Sequence, residues 1–161
     1  MIKSFTLNEI EKIVHDLFED ITKKDKFSKT ESSNFSKETF RETATIIALS
    51  GELGAGKTTL TQEIAKLLGV KEKVTSPTFV LIKRYETANK TFKNLVHIDA
   101  YRLENSEELI KIGWQELVEN KENLIIIEWP ERVPDCLKSP VYKVILGHRD
   151  EQTRTIKTFY N

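Results

Sequence analysis

The sequence contains a single cysteine, Cys136, and its acidic and basic residues are equal in number. One cysteine cannot form a disulfide within the chain, which favours a reducing, intracellular environment. With 25 Lys and Arg against 25 Asp and Glu, the formal net charge is zero. Proteins that coat nucleic acid nonspecifically are strongly basic, so this balance argues against that class without excluding a local basic patch.

Long hydrophobic runs are missing as well. No apolar stretch approaches the roughly 20 residues that a membrane-spanning helix needs. The first residues, Met1-Ile2-Lys3-Ser4, have no apolar region of the signal-peptide type. The sequence shows no internal repeat, and 161 residues are enough for a substantial core. We therefore expect one domain over residues 1–161 that lies in the cytoplasm and does not associate with membranes.

The stretch GELGAGKTT at 51–59 matches the phosphate-binding loop pattern of Gly, four residues, Gly-Lys, then Ser or Thr. Small residues let backbone N–H groups point at phosphate oxygens, where a Cβ would intrude. Lys57 is expected to reach the β- and γ-phosphates, and Thr58 to ligate a Mg²⁺ ion that bridges them. The β-branched run at 45–49 predicts a strand before the loop, and apolar spacing over 60–68 predicts a helix after it. This order aims the helix N-terminus at the anion.

The part of the chain before the loop predicts a strand, a helix and a polar insertion. Residues 2–5 are interpreted as a short strand or extended arm. Thr6 and Glu9 have the spacing of a capping box, and the apolar residues of 10–18 recur at helical spacing. Residues 22–43 are too polar to bury the apolar area that would offset the entropy of ordering. We expect a flexible or partly ordered surface segment there, rather than a partner-binding one.

The part after the loop predicts more strands and two short helices. Strands are predicted at 79–82, 92–99, 124–127, 141–146 and 153–160. The first two would form a β-hairpin and the last two an antiparallel pair. The run 124–127 has no polar alternation, which is typical of a central parallel strand covered on both faces. Two helices, 106–112 and 114–118, are predicted on either side of Gly113.

Two acidic residues end predicted strands. In nucleotide-binding α/β sheets, a carboxylate at the C-terminal end of an apolar strand faces the phosphates. Glu128 has such a position and is a candidate to hold Mg²⁺ or to orient an attacking water. The alternative is a strand-end carboxylate that is merely exposed. Asp99 is the second candidate acid, with a turn-capping role as its alternative.

Three further residues carry weaker signals. Ser76 and Thr78 lie in a loop that could approach the γ-phosphate and act as a switch. Their spacing alone favours ordinary turn chemistry. Trp129 fits the core and a wall of the site equally well, because spacing cannot separate the two.

Four segments together resemble the TsaE family, formerly called YjeE. They are GELGAGKTT (51–59), SPTF (76–79), HIDAYRL (97–103) and EWPER (128–132). The similarity spans roughly residues 44–148, in the order and spacing of the family. The phosphate-binding loop alone is shared by very many NTPases, whereas its conjunction with HIDAYRL and EWP is specific. The polar stretch 22–43 departs from the family in being longer than expected.

The resemblance implies a P-loop NTPase fold of the α/β class, with a mostly parallel central sheet, added antiparallel strands and helices on both faces. It also implies an ATPase, with ATP and Mg²⁺ as cofactors, that is needed to make threonylcarbamoyladenosine (t6A) beside the anticodon of tRNAs reading codons that begin with A. The implied partners are TsaD, which transfers the carbamoyl group, and TsaB. Hydrolysis would reset or license that complex between turnovers, and tRNA would be reached only through it.

The same resemblance assigns roles to residues. Lys57, Glu128 and Asp99 are the implied catalytic residues, and Thr58 and Glu128 the implied metal ligands. Ser76 and Thr78 gain support as a nucleotide-sensing switch. The candidate nucleotide-binding residues are Glu52, Leu53, Gly54, Ala55, Gly56, Lys57, Thr58, Thr59, Trp129 and Arg132.

Two other functions compete with this one. A small-molecule kinase would need an arginine-bearing lid, and Arg132 and Arg149 do not form a dense one. A nonenzymatic scaffold gated by nucleotide would bind ATP without needing hydrolysis. The preference for ATP over GTP rests on the family alone. No arginine has an obvious cis-finger position, so the ATPase is expected to be slow alone and stimulated by partners.

Overall fold

A computed structural model describes residues 2–27, 42–138 and 140–160 of the chain, and a seven-stranded sheet runs through them. The strands are β1 (Ile2–Thr6), β2 (Thr45–Ser50), β3 (Ile82–Glu86), β4 (Asn94–Asp99), β5 (Asn123–Glu128), β6 (Val141–His148) and β7 (Thr153–Tyr160). The helices are α1 (Ile10–Phe27), α2 (Lys57–Leu67), α3 (Ser106–Lys111) and α4 (Trp114–Glu119).

The sheet has the order β1-β7-β6-β2-β5-β4-β3. Its four central strands, β6, β2, β5 and β4, are parallel. Antiparallel strands extend it at both sides, with β3 next to β4 and the β7–β1 pair next to β6. Every residue of β5 is buried, as predicted for a central strand without polar alternation. Strands that run parallel bring their C-terminal ends to one edge, which is where the loop after β2 lies.

Both faces of the sheet are covered by helices. Alternation along β2 sends Ile47 and Leu49 to the core beneath α1 and α2, while Ile46 and Ala48 face the core beneath α3 and α4. The second core contains Trp114, the first residue of α4. The predicted architecture of a mostly parallel centre, added antiparallel strands and helices on both faces is therefore confirmed.

The strand predicted at 79–82 is wrong, although the hairpin that it belongs to is confirmed by the antiparallel β3–β4 pair. The carbonyl of Pro77 accepts the N–H groups of Val80 (2.9 Å) and Leu81 (2.7 Å), which makes a tight turn. Leu81 has a φ of 65°, and Phe79 and Val80 are exposed. The apolar residues 79–81 thus belong to the turn. Strand β3 is a polar strand at the edge of the sheet, where charged residues are tolerated.

The first helix extends further than its apolar residues predict. The Glu9 carboxylate accepts hydrogen bonds from the backbone N–H (2.8 Å) and the hydroxyl (2.9 Å) of Thr6, which confirms the capping-box spacing. Helix α1 continues to Phe27, so residues 22–27 of the predicted insertion are helical. Its larger part, 28–41, lies outside the described residues and stays a prediction. Among the described residues, no helix is both long and apolar enough to cross a membrane.

Candidate functional site

The phosphate-binding loop joins the end of β2 to the start of α2. Gly51, Gly54 and Gly56 have φ values of 146°, 77° and 101°, which L side chains rarely adopt. A Cβ on Gly51 would lie 2.4 Å from the carbonyl oxygen of Leu146 in β6. A Cβ on Gly56 would meet no heavy atom within 4 Å. The loop is therefore held against β6 on one side and is open on the other, at the N-terminus of α2, where anions are favoured.

Lys57 is the first residue of α2 and is 5% exposed. Its ammonium group donates to the carbonyls of Gly51 (2.7 Å) and Glu52 (2.9 Å). Burial lowers the pKa of Lys57, and the carboxylates of Glu128, Glu131 and Asp99 oppose that shift. The ammonium group thus has weak carbonyl partners in a desolvated place, and an anion in the loop would be a stronger partner.

The carboxylate of Glu128 lies at the C-terminal end of β5, close to the loop. The hydroxyl of Thr58 donates to its Oε1 over 3.0 Å, and Nε2 of His97 is 2.8 Å from the same oxygen. Glu128 is 3% exposed, so the alternative of a merely exposed strand end does not hold. Asp99 of β4 is the register partner of Glu128 and is also buried. The two candidate acids therefore lie side by side at the edge of the sheet where parallel strands β4 and β5 end.

Asp99 connects the turn that contains Ser76 and Thr78 to the site through hydrogen bonds. Its Oδ2 accepts the hydroxyls of Thr78 (2.6 Å) and Ser76 (3.2 Å), and these hydroxyls are 2.6 Å from each other. The backbone N–H of Tyr101 donates to Oδ1 over 3.1 Å, which is the turn-capping contact that the sequence left open. Asp99 therefore caps the turn that follows β4 and also orders the two candidate switch hydroxyls.

Trp129 forms a wall of the site rather than part of the closed core. Its φ of 58° is unusual for a residue other than glycine, and its N–H donates to the carbonyl of Leu49 over 3.2 Å. The indole lies under the Lys57 ammonium, 4.0 Å from nitrogen to ring centroid, and 5.1 Å from the ring of Tyr101. The ring therefore lies beside Lys57 of the phosphate-binding loop.

These groups surround a cleft of about 330 Å³. The residues that line it are Leu53, Gly54, Gly56, Lys57, Thr58, Thr59, Ser76, Thr78, Asp99, Tyr101, Glu128 and Trp129. Most of the residues singled out in the sequence are thus brought together. Glu52, Ala55 and Arg132 are outside this lining: Glu52 and Ala55 share a backbone hydrogen bond of 3.1 Å within the loop. Arg132 is exposed in a short 3₁₀ helix, Pro130–Arg132.

Two residues of the site were missed in the sequence, His97 and Tyr101. Both belong to the HIDAYRL segment. His97 precedes Asp99 by two residues in the same strand, so the two side chains share one face of β4. That spacing is the signal that could have revealed His97.

The donor set fits Mg²⁺ held together with a phosphate ligand. Among the described residues, no group of three or more His, Cys, Asp or Glu side chains could hold a metal ion. Mg²⁺ in phosphate sites is usually bound by one or two protein oxygens and completed by phosphate oxygens and water. The Thr58 hydroxyl and the Glu128 carboxylate, 3.0 Å apart beside a glycine-rich loop, match that requirement.

Known proteins with similar sequences agree on the family. A family model described as threonylcarbamoyl adenosine biosynthesis protein TsaE matches residues 21–156. A protein from Nostoc sp., named tRNA threonylcarbamoyladenosine biosynthesis protein TsaE, is 40% identical over 113 residues, which are 68% of this chain and 66% of the relative. A protein of the same name from Rickettsia felis is 39% identical over 117 residues, which are 72% of this chain and 66% of the relative. The alignments thus span just under two thirds of these curated relatives.

The crystal structure of Bacillus subtilis YdiB has a TM-score of 0.62 and 22% identity to this chain, and the match covers 99% of this chain and 86% of that one. This likeness shows the fold, and the predicted P-loop NTPase fold is confirmed. The family model covers most of the sequence, including the loop, both acids and Trp129. The chain therefore belongs to the TsaE family of threonylcarbamoyl adenosine biosynthesis proteins.

Proposed function

We propose that this chain is an ATP-binding and ATP-hydrolysing component of the machinery that makes t6A in tRNA, with residues 1–161 forming a single ATPase domain. The observation that carries the proposal is the 3.0 Å contact between the Thr58 hydroxyl and the Glu128 carboxylate, next to the Lys57 ammonium of the loop. P-loop ATPases use a lysine, a hydroxyl and a carboxylate in this arrangement to hold phosphates and Mg²⁺. The names of the Nostoc and Rickettsia relatives support the role in tRNA, and hence a cytoplasmic location.

The chemistry of the site divides among its residues. Loop N–H groups and Lys57 would bind the β- and γ-phosphates, and Thr58 and Glu128 would hold Mg²⁺, which supplies further positive charge to the phosphates. Asp99, fixed by the Ser76 and Thr78 hydroxyls, would orient the attacking water. The Ser76 and Thr78 hydroxyls contact Asp99 directly. If these hydroxyls shifted towards a γ-phosphate, the conformation of the turn that carries them would depend on the bound nucleotide, as in a switch loop.

The partners in this proposal are proteins like TsaD and TsaB. No arginine lines the cleft among the described residues, so the charge needed at the γ-phosphate is incomplete in this chain. The rim of the cleft carries exposed apolar side chains: Leu53 and Tyr101 of its lining, and Phe79, which directly follows Thr78 of that lining. Apolar groups around an incomplete catalytic centre are suited to a partner that docks over the nucleotide and completes it. The tRNA would be contacted through that complex.

The test is phosphate release by the purified chain, with Mg·ATP or ATP plus EDTA, alone and with purified TsaD- and TsaB-like proteins. No phosphate acceptor is added, which separates an ATPase from a small-molecule kinase. We expect slow, Mg²⁺-dependent release that rises strongly with the partners, since arginines supplied in trans accelerate other NTPases by about 10³–10⁵-fold. A chain that binds no Mg·ATP, or releases phosphate rapidly and independently of partners, would overturn the proposal.

A further inference from the structure

His97 is a histidine with no exposed surface in the middle of β4, between the equally buried Val96 and Ile98. Burying an imidazole is unfavourable unless its nitrogens find hydrogen-bond partners. Nε2 has one, Oε1 of Glu128 at 2.8 Å. Nδ1 has none, and it is the one buried side-chain nitrogen or oxygen in this condition among the described residues. Packing alone would favour an apolar residue here, so the contact with Glu128 is the feature that distinguishes a histidine.

The direction of this hydrogen bond follows from its partner. A carboxylate only accepts, so in the neutral ring the proton lies on Nε2 and Nδ1 is the nitrogen without a partner. Within the described part of the chain, the two hydrogen bonds to the Glu128 carboxylate both fall on Oε1, one from Thr58 of α2 and one from His97 of β4. Donors on two different elements hold Oε1, which fixes the orientation of the carboxylate that lines the cleft.

We propose that His97 is a positioning residue, which holds the Glu128 carboxylate in the orientation that binds Mg²⁺ by donating its Nε2–H. This role rests on the proposed nucleotide and metal binding of the same cleft. His97 does not line the cleft and acts through Glu128. Residues that do not touch the metal can donate hydrogen bonds to a carboxylate that does. These bonds orient the carboxylate and raise metal affinity, and their loss typically costs 10–100-fold in affinity or activity.

The experiment compares His97→Leu with His97→Gln. Leucine fills a similar space among apolar neighbours but removes the donor, while the amide of glutamine can donate from a place close to Nε2. The readout is the Mg²⁺ dependence of binding of a fluorescent ATP analogue, with affinity in EDTA as the metal-free reference. We expect His97→Leu to need about 10–100-fold more Mg²⁺ for half-maximal tightening. Affinity in EDTA should be unchanged, because the loop and Lys57 are intact, and His97→Gln should restore most of the loss.

Asn123→Leu is the matched control. Asn123 is a buried polar residue at the opposite end of β5, with hydrogen bonds to Leu117 and Asn94. The Asn123→Leu substitution should lower thermal stability without changing the Mg²⁺ dependence of binding of the ATP analogue. If His97→Leu does not fold, His97→Asn takes its place, since its amide is too short to reach Oε1.

The outcomes separate the two proposals. A wild-type chain that binds no Mg·ATP overturns the proposed function itself. A wild-type chain that binds Mg·ATP, with His97→Leu showing the same Mg²⁺ dependence, overturns the positioning role alone. An equal shift in Asn123→Leu, or no rescue by His97→Gln, assigns the effect to general structural damage and likewise overturns the role.

Discussion

Lys57 is a buried cation whose hydrogen-bond partners are carbonyls of its own loop. Replacing it with alanine removes the charge proposed to pair with the β- and γ-phosphates. Charged hydrogen bonds contribute about 1.5–3 kcal/mol, so we expect Lys57→Ala to weaken ATP binding by at least about tenfold. Isothermal titration calorimetry measures this, with Lys66→Ala as the control because Lys66 is an exposed lysine on the same helix. Undiminished affinity in Lys57→Ala would remove the basis for placing the phosphates here.

Asp99 differs from Lys57 in that its contacts lead to a turn and a backbone N–H rather than to the loop. Asp99→Asn keeps the shape of the side chain and one carbonyl oxygen, so the turn that contains Ser76 and Thr78 should persist. We expect ATP affinity to change little and turnover to fall by about 10²–10⁴-fold, the range found when a side chain that acts on the attacking group is lost. Binding and single-turnover phosphate release, measured on the same variant, separate the two effects. Loss of affinity with retained turnover would show that Asp99 serves nucleotide binding and not turnover.

At the scale of elements, the β2–loop–α2 unit could be predicted because three independent signals coincide there. The strand composition, the glycine pattern and the helical spacing each point to the same boundaries. Strand β3 could not be predicted, because it is a polar strand that lies at the edge of the sheet and, among the described strands, pairs only with β4. The apolar residues that precede it lie in an exposed turn. The contact between His97 and Glu128 is likewise tertiary, joining residues 31 positions apart. Sequence patterns report local burial and conformation, and such pairings depend on how strands are arranged.

The phosphate-binding loop packs closely against β6 at Gly51, and substitutions of its glycines test this contact. Gly51→Ala would place a Cβ 2.4 Å from a backbone oxygen of β6, which cannot move without disturbing the sheet. Gly56→Ala meets no atom within 4 Å and carries only the strain of its left-handed backbone. We expect Gly51→Ala to lose about 1–3 kcal/mol more stability than Gly56→Ala, the range of overpacking. Urea unfolding with equal slopes measures the difference. Equal stabilities would mean that the loop adapts freely against β6.

The segment after β5 gives an optical test of the cleft. Trp129 lies under the Lys57 ammonium, whereas Trp114, the other of the two tryptophans, is buried in the core beneath α3 and α4. In a Trp114→Phe variant, all indole emission comes from Trp129. Mg·ATP should change that emission, because the phosphates would draw the Lys57 ammonium away from the ring and change the polarity of the surroundings of the indole. A spectrum that stays unchanged at saturating nucleotide would show that the indole is not part of the binding site.

At the scale of the whole molecule, the cleft and the exposed apolar rim share the edge where the parallel strands end. Phe79 is 83% exposed, and the Arg102 guanidinium lies 4.6 Å from its ring centroid. The same turn carries Thr78, which hydrogen-bonds to Asp99 in the cleft. A partner that contacts Phe79 would therefore sense the nucleotide through a chain of direct contacts. By thermodynamic reciprocity, a nucleotide that tightens docking is itself bound more tightly by the docked chain.

Phe79→Ser removes the large apolar group of this rim and leaves the groups proposed for catalysis in place. We expect it to weaken binding to a TsaD–TsaB-like complex by about tenfold or more, as truncation of an aromatic anchor does at interfaces. Partner-stimulated phosphate release should fall with it, while the slow release by the isolated chain stays the same. Ile110→Ser is the control, because Ile110 is an exposed apolar residue of α3, whereas Phe79 directly follows Thr78 of the cleft lining. Partner affinity is measured with and without ATP for all three chains, and ATP should tighten docking of the wild type and of Ile110→Ser. Equal partner affinity of Phe79→Ser and the wild type, or docking that ignores ATP, would place the partner elsewhere on the molecule and favour an autonomous ATPase.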